Sequence, residues 1–412
     1  MNRTILHSDM NCFYASVEMM LNPELQGKAV AVCGSTENRH GIVLAKSEKA
    51  KQAGIKTGMV NWEAKRLCPD LILVPPQYEQ YLKYSNMARE IYQEYTDLVE
   101  PYGMDECFLD VTASQVLYGS GKEIADQIRC RMKNELGLTV SIGISFNKIF
   151  AKLGSDMKKP DAITSIEESE WKQKVWPLRV SELLFCGRST TKKLEQVGIY
   201  TIGDLAEMDH DYVNQLLGKN GLMLWSYANG LDDSPVMEKD FVSSMKSVGH
   251  GITCTADLKT EEEVWKVILE LCQDIGHRLR IHGLKAQGIQ IAIRSQELFT
   301  RQYQGQLSLP TIVHLEIAKL ARELFQRNYD WKEPVRSVTV RAINLVSAKE
   351  PEQICLFSDP IRLEKEEKLF LAIEEIRRRF GKRAIYPAAL MKDLKMPEYR
   401  DHGLIMPGVM NR

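Results

Sequence analysis

Several classes of protein are excluded by what this chain lacks. Its nine cysteines are odd in number, contain no CxxC pair and form no Cys/His cluster at ligand spacing, which argues against a disulfide framework and a structural zinc site. The N-terminus has an apolar stretch of only two or three residues before Asp9, too short for a signal peptide or a membrane span. We therefore expect a reduced, cytoplasmic protein with no membrane segment.

Neither sign of charge dominates, because 54 Lys and Arg oppose 55 Asp and Glu. This balance excludes a nucleic-acid binder that is basic throughout, but not one with a local basic face. A hydrophobic content of 44% and a charged content of 26% are typical of soluble globular proteins. A length of 412 residues corresponds to roughly two to four domains.

Strand and helix patterns alternate over the first 165 residues. TILH at 4–7 predicts a strand that ends near Asp9, and residues 81–99 carry apolar side chains at helical spacing before a turn and the strand ECFLDVT. A helix over about 121–136, the strand TVSIGIS and the helical NKIFAKLGSDM follow. This order predicts an α/β domain whose sheet carries Asp9, Asp105 and Glu106.

The pattern changes after Pro160. Residues 166–230 predict short helices with glycines between them, and residues 232–246 lack periodicity, as a tether between domains does. Strands and helices then resume in a second α+β pattern, followed by a tail of about sixty residues with a helix over 364–380. We therefore predict a multidomain α+β protein.

Asp9, Asp105 and Glu106 are the main candidates for chemistry. Carboxylates at the ends of two strands of one sheet can converge on a pair of Mg²⁺ ions, which prefer oxygen ligands. Such a pair, roughly 3.5–4 Å apart, supports in-line phosphoryl displacement. Since neighbours on a strand point to opposite faces, Asp105 has to lie in the turn entering the strand or at a bulge. The alternative is that all three are ordinary solvated acids.

An aromatic pair, Phe13 and Tyr14, follows Asp9 at the start of a predicted helix. One interpretation places a ring beside a nucleotide sugar. Core packing is the alternative, and it is the usual role of aromatic residues at the junction of a strand and a helix.

Four lysines lie on or just after the helix that follows TVSIGIS. Lys148 and Lys152 share a helical face, and Lys158 and Lys159 follow where the helix ends before Pro160. These cations would neutralise the oxygens of a triphosphate at the edge of a metal site. A plain basic face of the helix is the alternative.

The segments DMNCFYASVE, GMDECFLDVT and GISFNKIFAKLGSDMKKP closely resemble, in this order and spacing, the signatures of the Y-family translesion DNA polymerases, in the DNA polymerase IV branch. The resemblance covers roughly residues 1–350. It implies a right-hand-like polymerase fold with six segments: palm at 1–20 and 77–165, fingers at 21–76, helical thumb at 166–231, tether at 232–246, α+β little finger at 247–347 and C-terminal tail at 348–412.

The resemblance also implies roles for single residues. The ligands of two Mg²⁺ ions match three carboxylates and one backbone carbonyl: Asp9, Asp105, Glu106 and Met10. Tyr14 matches the steric gate whose ring excludes a 2′-hydroxyl, with Phe13 beside it. Lys159 matches a triphosphate-binding lysine, and Lys51, in the fingers segment AKSEKAKQAGIKTG, falls where an arginine usually lies.

Three positions depart from the family pattern. Glu48 stands where a tyrosine usually contacts the triphosphate, and Ala45 replaces a common threonine. A carboxylate is a poor partner for a tetra-anion, so we expect Lys51 and Lys159 to carry more of that role. Gly103 replaces the usual serine before the acidic pair, which affects a hydrogen bond to the primer end but not the metals.

Two further segments resemble DNA-binding elements. LLFCGRSTTKKL resembles the hairpin of a helix-hairpin-helix, whose backbone N–H groups hold a DNA phosphate; Gly187 and Arg188 keep its second half, whereas Phe185 replaces the first glycine. A simple turn between helices is the alternative. The second α+β domain carries five cations on or near strands, of which we expect about half to contact DNA: Lys246, Arg294, Arg301, Arg336 and Arg341.

The pentapeptide at 353–357 resembles the QxxLF peptide by which bacterial polymerases dock on the sliding clamp. Gln353, Leu356 and Phe357 match its fixed positions, and the last two would be exposed anchors for a hydrophobic pocket. QLSLP at 306–310 matches as loosely, but it lies inside a predicted strand. We therefore favour 353–357.

We predict a monomeric, low-fidelity, template-directed DNA polymerase for translesion synthesis. It would bind primer–template DNA, dNTP, two Mg²⁺ ions and a bacterial sliding clamp, and transfer a nucleotide to the primer 3′-hydroxyl. A palm-type phosphoryl-transfer enzyme such as a nucleotide cyclase is one alternative, but it needs no DNA-binding hairpin or tethered domain. A non-catalytic clamp-binding protein is another, and it needs no carboxylates beside a steric gate.

Overall fold

The computed structural model describes residues 3–39, 41–351, 359–382, 384–391 and 394–397. Twelve strands are present in these ranges: β1 Ile5–Met10, β2 Val30–Cys33, β3 Val43–Lys46, β4 Ile72–Val74, β5 Val99–Pro101, β6 Glu106–Asp110, β7 Val140–Ser145, β8 Ile163–Ile166, β9 Ser247–Leu258, β10 Leu284–Ser295, β11 Thr300–Thr311 and β12 Val335–Ser347. They form three separate sheets. In the same part of the chain, no helix combines the length and apolarity needed to cross a membrane.

The helices of the same ranges follow in chain order. They are α1 Phe13–Leu21, α2 Glu48–Gln52, α3 Asn61–Leu67, α4 Tyr78–Gln93, α5 Gln115–Tyr118, α6 Gly121–Leu136, α7 Lys148–Met157, α8 Trp171–Val175, α9 Arg188–Gln196, α10 Ile202–Glu207, α11 His210–Leu217, α12 Lys219–Ala228, α13 Glu261–Ile281, α14 His314–Asn328 and α15 Pro360–Phe380. This mixture of strands and helices is the multidomain α+β architecture that the sequence predicts.

The first sheet has five strands in the order β5-β6-β1-β7-β8, and β1 lies at its centre between two antiparallel neighbours. Alternate side chains of β1 point to opposite faces, as the pleat requires. Leu6 and Met10 pack in the core formed with α1, α4 and α6. Ile5, His7 and Asp9 lie on the other face, which α7 covers.

Helix α7 lies unusually close to this sheet. A methyl group at Gly143 of β7 would overlap the Ala151 carbonyl oxygen and the Ser155 amide nitrogen of α7. One at Gly154 would lie 3.2 Å from the Gly143 Cα and from the Thr164 carbonyl oxygen. The two glycines therefore let backbone pack on backbone, and this contact fixes which α7 side chains reach the strands.

Two smaller units flank the first sheet. The second sheet, β3-β2-β4, packs with α2 and α3 around a core that includes Ala31, Val43, Ile55 and Leu71. The helices α8–α12 surround a core around Leu205, to which Ile149, Phe150 and Leu153 of α7 also contribute. Each unit is built around a buried apolar cluster, and α7 joins the cluster of the helical unit to the first sheet.

The third sheet is antiparallel throughout, with the order β11-β10-β12-β9. Helices α13 and α14 cover one face, where Ile289, Ile291, Ile293 and Val340 are buried. The side chains that alternate with these buried residues along the strands face away from the helices. They line an open cleft of about 280 Å³.

The predicted C-terminal tail contains a helix, α15, that packs with the helices of the third sheet. Phe370 of α15 is only 1% exposed and belongs to the same apolar cluster as α13 and α14. Glu374 of α15 pairs with His277 of α13, and Lys285 of β10 lies 3.1 Å from Glu367. The helix begins four residues earlier than the sequence indicated, with Asp359 as its N-cap.

The segment predicted as a tether, residues 232–246, contains no helix or strand. Its first half is nevertheless packed against the first sheet, since Val236 is buried beside Ile5 and Phe108. The Met237 amide donates to Glu100, which forms an ion pair of 2.7 Å with buried Lys148. The freely exposed part of this segment is therefore shorter than its 15 irregular residues suggested.

Candidate active site

The register of the first sheet brings together the acids that the sequence singles out. Asp9 of β1 lies directly opposite Glu106 of β6, on the face covered by α7. Asp105 precedes β6 in a bend. This position was expected, because a residue next to Glu106 within the strand would point to the opposite face. The Met10 amide donates to the Asp105 carbonyl oxygen at 2.9 Å, so the ends of the two strands are tied together. Carboxylates distant in sequence thus share one end of the sheet.

Two lysines of the α7 region contact these carboxylates. Lys159 Nζ lies 2.7 Å from Asp9 Oδ2 and 2.8 Å from Asp156 Oδ1. Lys152 Nζ lies 2.9 Å from Glu106 Oε1 and 3.6 Å from Asp9 Oδ2. The chain's own ammonium groups therefore compensate the negative charge of the cluster.

Burial and charge separate the acidities of the three carboxyl groups. Burial raises the pKa of Asp9 to about 7 in spite of Lys159, and it raises the pKa of Asp105 to about 6 with a further contribution from Glu106. Burial alone would also raise the pKa of Glu106. His7 and Lys152 outweigh this effect and lower the pKa of Glu106 to about 2. The cluster therefore carries its most firmly held negative charge on Glu106.

The donor set suits a hard divalent cation. Three carboxylates at adjoining strand ends offer oxygen atoms, and the raised pKa values of Asp9 and Asp105 show that an added positive charge would be favourable there. Within the described ranges, no three His, Cys, Asp or Glu side chains are gathered into a preformed metal cage. Asp9 and Glu106 are instead ion-paired with lysines, which a cation would have to displace.

The aromatic pair lies beside the acids at the start of α1. Phe13 is buried, whereas Tyr14 is half-buried, stacks on Tyr81 with ring centres 4.2 Å apart, and donates its hydroxyl to the Met104 sulfur at 3.2 Å. Tyr81 in turn donates its hydroxyl to the buried carboxylate of Glu18. Phe13 therefore belongs to the core, and Tyr14 packs against the same core, whereas the placement of a ring beside a nucleotide sugar stays a prediction.

The residues predicted for the nucleotide-binding segment of the fingers lie on or beside the second sheet, near the start of α1. Glu48 of α2 accepts a hydrogen bond from the Cys12 thiol at 3.4 Å, and Lys51 lies 3.5 Å from the same carboxylate. Half of the Lys51 side chain is exposed. Ala45 packs against the core of the first sheet. Gly103 has a φ of +150°, and a methyl group there would lie 3.5 Å from Asp105 Oδ1.

The segment before α9 is a turn that leads into the helix, and its binding of a DNA phosphate stays a prediction. Gly187 is the N-cap of α9 and Arg188 its first residue, so the first amides of the helix have no helical partner. Phe185 adopts a φ of +67°, a conformation that glycine adopts at lower cost. This explains why a glycine is usual at that position.

The cations of the third sheet do not share one face. Arg294 and Arg341 line the open cleft, and Lys246 is exposed just before β9. Arg301 lies opposite Ile293, whose side chain is on the helix-covered face. Arg336 is the residue left unpaired where the register between β10 and β12 shifts.

The clamp-peptide prediction lies outside the described residues, which stop at 351 and resume at 359. Gln353, Leu356 and Phe357 are therefore not placed. The rival segment QLSLP lies within β11, hydrogen-bonded to β10 over part of its length. This is the folded position that its strand pattern predicted.

Sequence reasoning left two central residues out of its site. It noted Lys152 by its spacing from Lys148, but the spacing alone does not show which carboxylates the side chain meets. It gave no role to His7, whose ring lies between Glu106 and Ser155. Alternation along β1 could have placed His7 on the face of Asp9.

Comparison with a solved structure identifies the fold. A solved Y-family DNA polymerase, a chimera of Dbh and Dpo4, matches 84% of this chain and 99% of its own length, with a TM-score of 0.74 and 24% identity. The fold is therefore that of a Y-family DNA polymerase, and the predicted right-hand-like fold class is confirmed.

Comparison of sequences defines the family. The model of the impB/mucB/samB family matches residues 8–156, and that of its C-terminal domain matches residues 245–356. The DNA polymerase IV of Acetivibrio thermocellus is 48% identical over 95% of this chain and 98% of its own length. The DNA polymerase IV 1 of Bacillus subtilis is 38% identical over 95% and 94%. The chain belongs to this family, in the DNA polymerase IV branch, and is a DNA-directed DNA polymerase, as its motifs predicted.

Proposed function

We propose that this chain is a low-fidelity, template-directed polymerase for translesion synthesis, which transfers a nucleotide from dNTP to the primer 3′-hydroxyl at Asp9, Asp105 and Glu106. The observation that carries the proposal is the strand register, which sets Asp9 opposite Glu106 while Asp105 precedes the strand. This register places Asp9 beside Glu106 at one end of the sheet, where a divalent cation would draw their oxygen atoms and those of Asp105 together for nucleotidyl transfer.

The proposal includes two Mg²⁺ ions. Asp9, Asp105 and Glu106 would hold them together with the backbone carbonyl of Met10, and all of these donors are oxygens. When bound, the ions would neutralise the triphosphate and stabilise charge on the attacking and leaving oxygens.

The lysines and Tyr14 have distinct tasks in this proposal. Lys159 binds triphosphate oxygens, because an anion at this edge competes with Asp9 and Asp156 for the same ammonium group. Lys51 is exposed enough to reach the phosphates from α2. Stacking on Tyr81 fixes the Tyr14 ring, which supports its role as the gate that excludes a 2′-hydroxyl.

The remaining units would hold primer–template DNA. We assign the palm to 1–20 and 77–165, the fingers to 21–76, the thumb to 166–231 and the little finger to 247–347. Each contains a buried apolar cluster, and the cluster of the thumb also includes α7 side chains of the palm. The free amides at Gly187 and Arg188 suit a DNA phosphate. Arg294 and Arg341 present cations on the open sheet face. We further propose that the polymerase is a cytoplasmic monomer.

The catalytic assignment is tested with Asp105→Asn. Primer extension should fall by at least about 100-fold, since a metal ligand loses its charge, while the Kd for primer–template DNA stays near that of the parent. Asp110→Asn, at the other end of β6, is the matched control and should retain activity. Extension by Asp105→Asn at more than a tenth of the parental rate would contradict the assignment.

The clamp peptide is tested separately. Replacing Leu356 and Phe357 by Ala should leave extension on an unclamped primer unchanged and remove the stimulation by a bacterial sliding clamp, because tethering raises the effective concentration of DNA ends. If stimulation persists in full, the docking segment lies elsewhere in the chain.

A further inference from the structure

His7 is a fully buried polar side chain to which the proposed chemistry assigns no part. Its ring packs edge-on against Phe108, with ring centres 4.6 Å apart, beneath α7. Nδ1 lies 2.8 Å from the Ser155 hydroxyl. Nε2 lies 3.5 Å from Glu106 Oε2 and has no hydrogen-bond partner among the described residues. A buried nitrogen without a full hydrogen bond is costly, so its direction toward Glu106 calls for an explanation.

The position of the ring proton follows from its two neighbours. A carboxylate oxygen only accepts hydrogen bonds, whereas each ring nitrogen of a histidine can donate or accept. If the proton were on Nδ1, the lone pair of Nε2 would face a carboxylate. If the Ser155 hydroxyl donates to Nδ1, Nε2–H points at Glu106 instead. The Lys152 carbonyl, 2.8 Å from the Ser155 oxygen, is the hydroxyl's alternative acceptor.

Glu106 is thereby approached from two sides. Lys152 contacts Oε1 at 2.9 Å, and His7 Nε2 faces Oε2. The Lys152 side chain also reaches Asp9 and Asp156, so it is shared among three carboxylates. His7 is held by rigid packing and faces Glu106 alone among the ligands, which makes it the neighbour suited to fix the orientation of that carboxylate.

We propose that His7 is a positioning residue for the cation site, with Ser155, His7 and Glu106 forming a chain of donors that sets the orientation of Glu106. This inference rests on the proposed role of Glu106 as a metal ligand. Carboxylates that bind metals are commonly oriented by such hydrogen bonds, and loss of the orienting partner typically costs about 10–100-fold in metal affinity or activity.

Binding of Mn²⁺ tests this directly. The free Mn²⁺ signal in electron paramagnetic resonance would be titrated with full-length enzyme bound to a dideoxy-terminated primer–template and the next dNTP. His7→Leu should weaken Mn²⁺ binding by about tenfold or more. His7→Gln, whose amide can donate near the position of Nε2, should recover much of the affinity. Ser155→Ala, which frees Nδ1, should give an intermediate loss.

A second buried histidine supplies the control for a purely structural role. His314 of α14 is also buried in part, and its Nδ1 likewise has no partner among the residues described. His314→Leu should leave Mn²⁺ affinity within twofold of the parent, even where the melting temperature falls. If His7→Leu melts as the parent does and binds Mn²⁺ within twofold of it, the inference is overturned. If His7→Leu does not fold, parental affinity in Ser155→Ala overturns it.

Glu106→Gln separates this inference from the proposed site. If Glu106→Gln loses Mn²⁺ affinity and His7→Leu does not, only the role of His7 is wrong. If Glu106→Gln binds Mn²⁺ as tightly as the parent, the site itself is wrong and the inference falls with it. Support requires that adding His7→Leu to Glu106→Gln cause no further loss, because the two residues act through one carboxylate.

Discussion

The first and third sheets differ in whether their second face is covered by a helix or open to solvent. The first sheet is antiparallel around its central strand β1, the third is antiparallel throughout, and helices cover one face of each. In the first sheet α7 covers the second face as well, so Asp9 and Glu106 lie beneath a helix. In the third sheet the second face stays open, and Arg294 and Arg341 stand in solvent.

This difference separates two kinds of polar surface. Under α7, Asp9 and Glu106 are ion-paired with Lys159 and Lys152, since buried charges are costly when unpaired. On the open face, water solvates the cations and no single partner is required. Substitutions beneath α7 should therefore have large, position-specific effects. Those on the open face should have small effects that resemble one another.

The largest difference between the two sheets is expected when one glycine in each is replaced by alanine. Gly143→Ala places a methyl group against the Ala151 carbonyl and the Ser155 amide, neither of which can rotate away. Overpacking typically costs about 1–3 kcal/mol, and we expect the upper end because the contacts are backbone atoms. Displacement of α7 should also move Lys152 and abolish primer extension. Denaturant unfolding and extension assays measure both effects.

Gly249→Ala is the matched change in the third sheet. The three atoms nearest to its methyl group would all belong to the flexible side chain of Arg341, with Cγ 3.2 Å away on the open face. The free energy of unfolding should change by less than about 1 kcal/mol, and activity should persist. Equal destabilisation by the two substitutions would show that the close approach of α7 does not set the tolerance of the first sheet.

The sequence predicts the elements better than the contacts between them. Strand alternation and helical spacing locate β1, α6 and β7, and the pleat rule places Asp105 before its strand. The helix Gly121–Leu136 has the predicted bounds because a capping box at Ser120 and a left-handed Gly137 mark its ends. Such local signals need no tertiary structure.

The contacts missed by the sequence depend on how elements pack. Spacing along α7 puts Lys148 and Lys152 on one face, yet Lys148 pairs with Glu100 and Lys152 with Glu106. Nothing local to 360–380 shows that Phe370 is buried against α13. Half of the predicted tether packs on the first sheet because one valine, Val236, fits an apolar site there. These outcomes depend on distant surfaces.

A smaller effect is expected from acid, at a buried histidine of the third unit. Burial lowers the pKa of His314 to about 4, whereas the unfolded chain takes up the proton near 6.5. The unfolded state therefore binds more protons as pH falls below 6.5, and stability is lost between pH 6.5 and 4. From pH 7 to 5 the loss is about 2 kcal/mol from this group.

The measurement is denaturant unfolding at pH 7 and pH 5 in the parent and in His314→Leu. The variant should lose less stability than the parent between the two values, whatever its stability at pH 7. An identical pH dependence in the two proteins would show that His314 is protonated with equal ease in the folded and unfolded states.

The smallest effects are expected for substitutions on the open face of the third sheet. There the position of an arginine should determine whether its loss weakens DNA binding. Arg341 lines the exposed cleft, whereas Arg301 lies opposite buried Ile293, and residues of its parity in β11, Tyr303 and Leu307, pack against the core. Arg341→Ala should weaken binding of primer–template DNA by about 1 kcal/mol and lower the salt slope by about one counterion, because it removes one phosphate contact. Arg301→Ala should change neither quantity. Fluorescence anisotropy across a range of salt concentrations measures both, and an equal slope change in the two variants would mean that DNA wraps the edge of the sheet at β11 instead of lying along its open face.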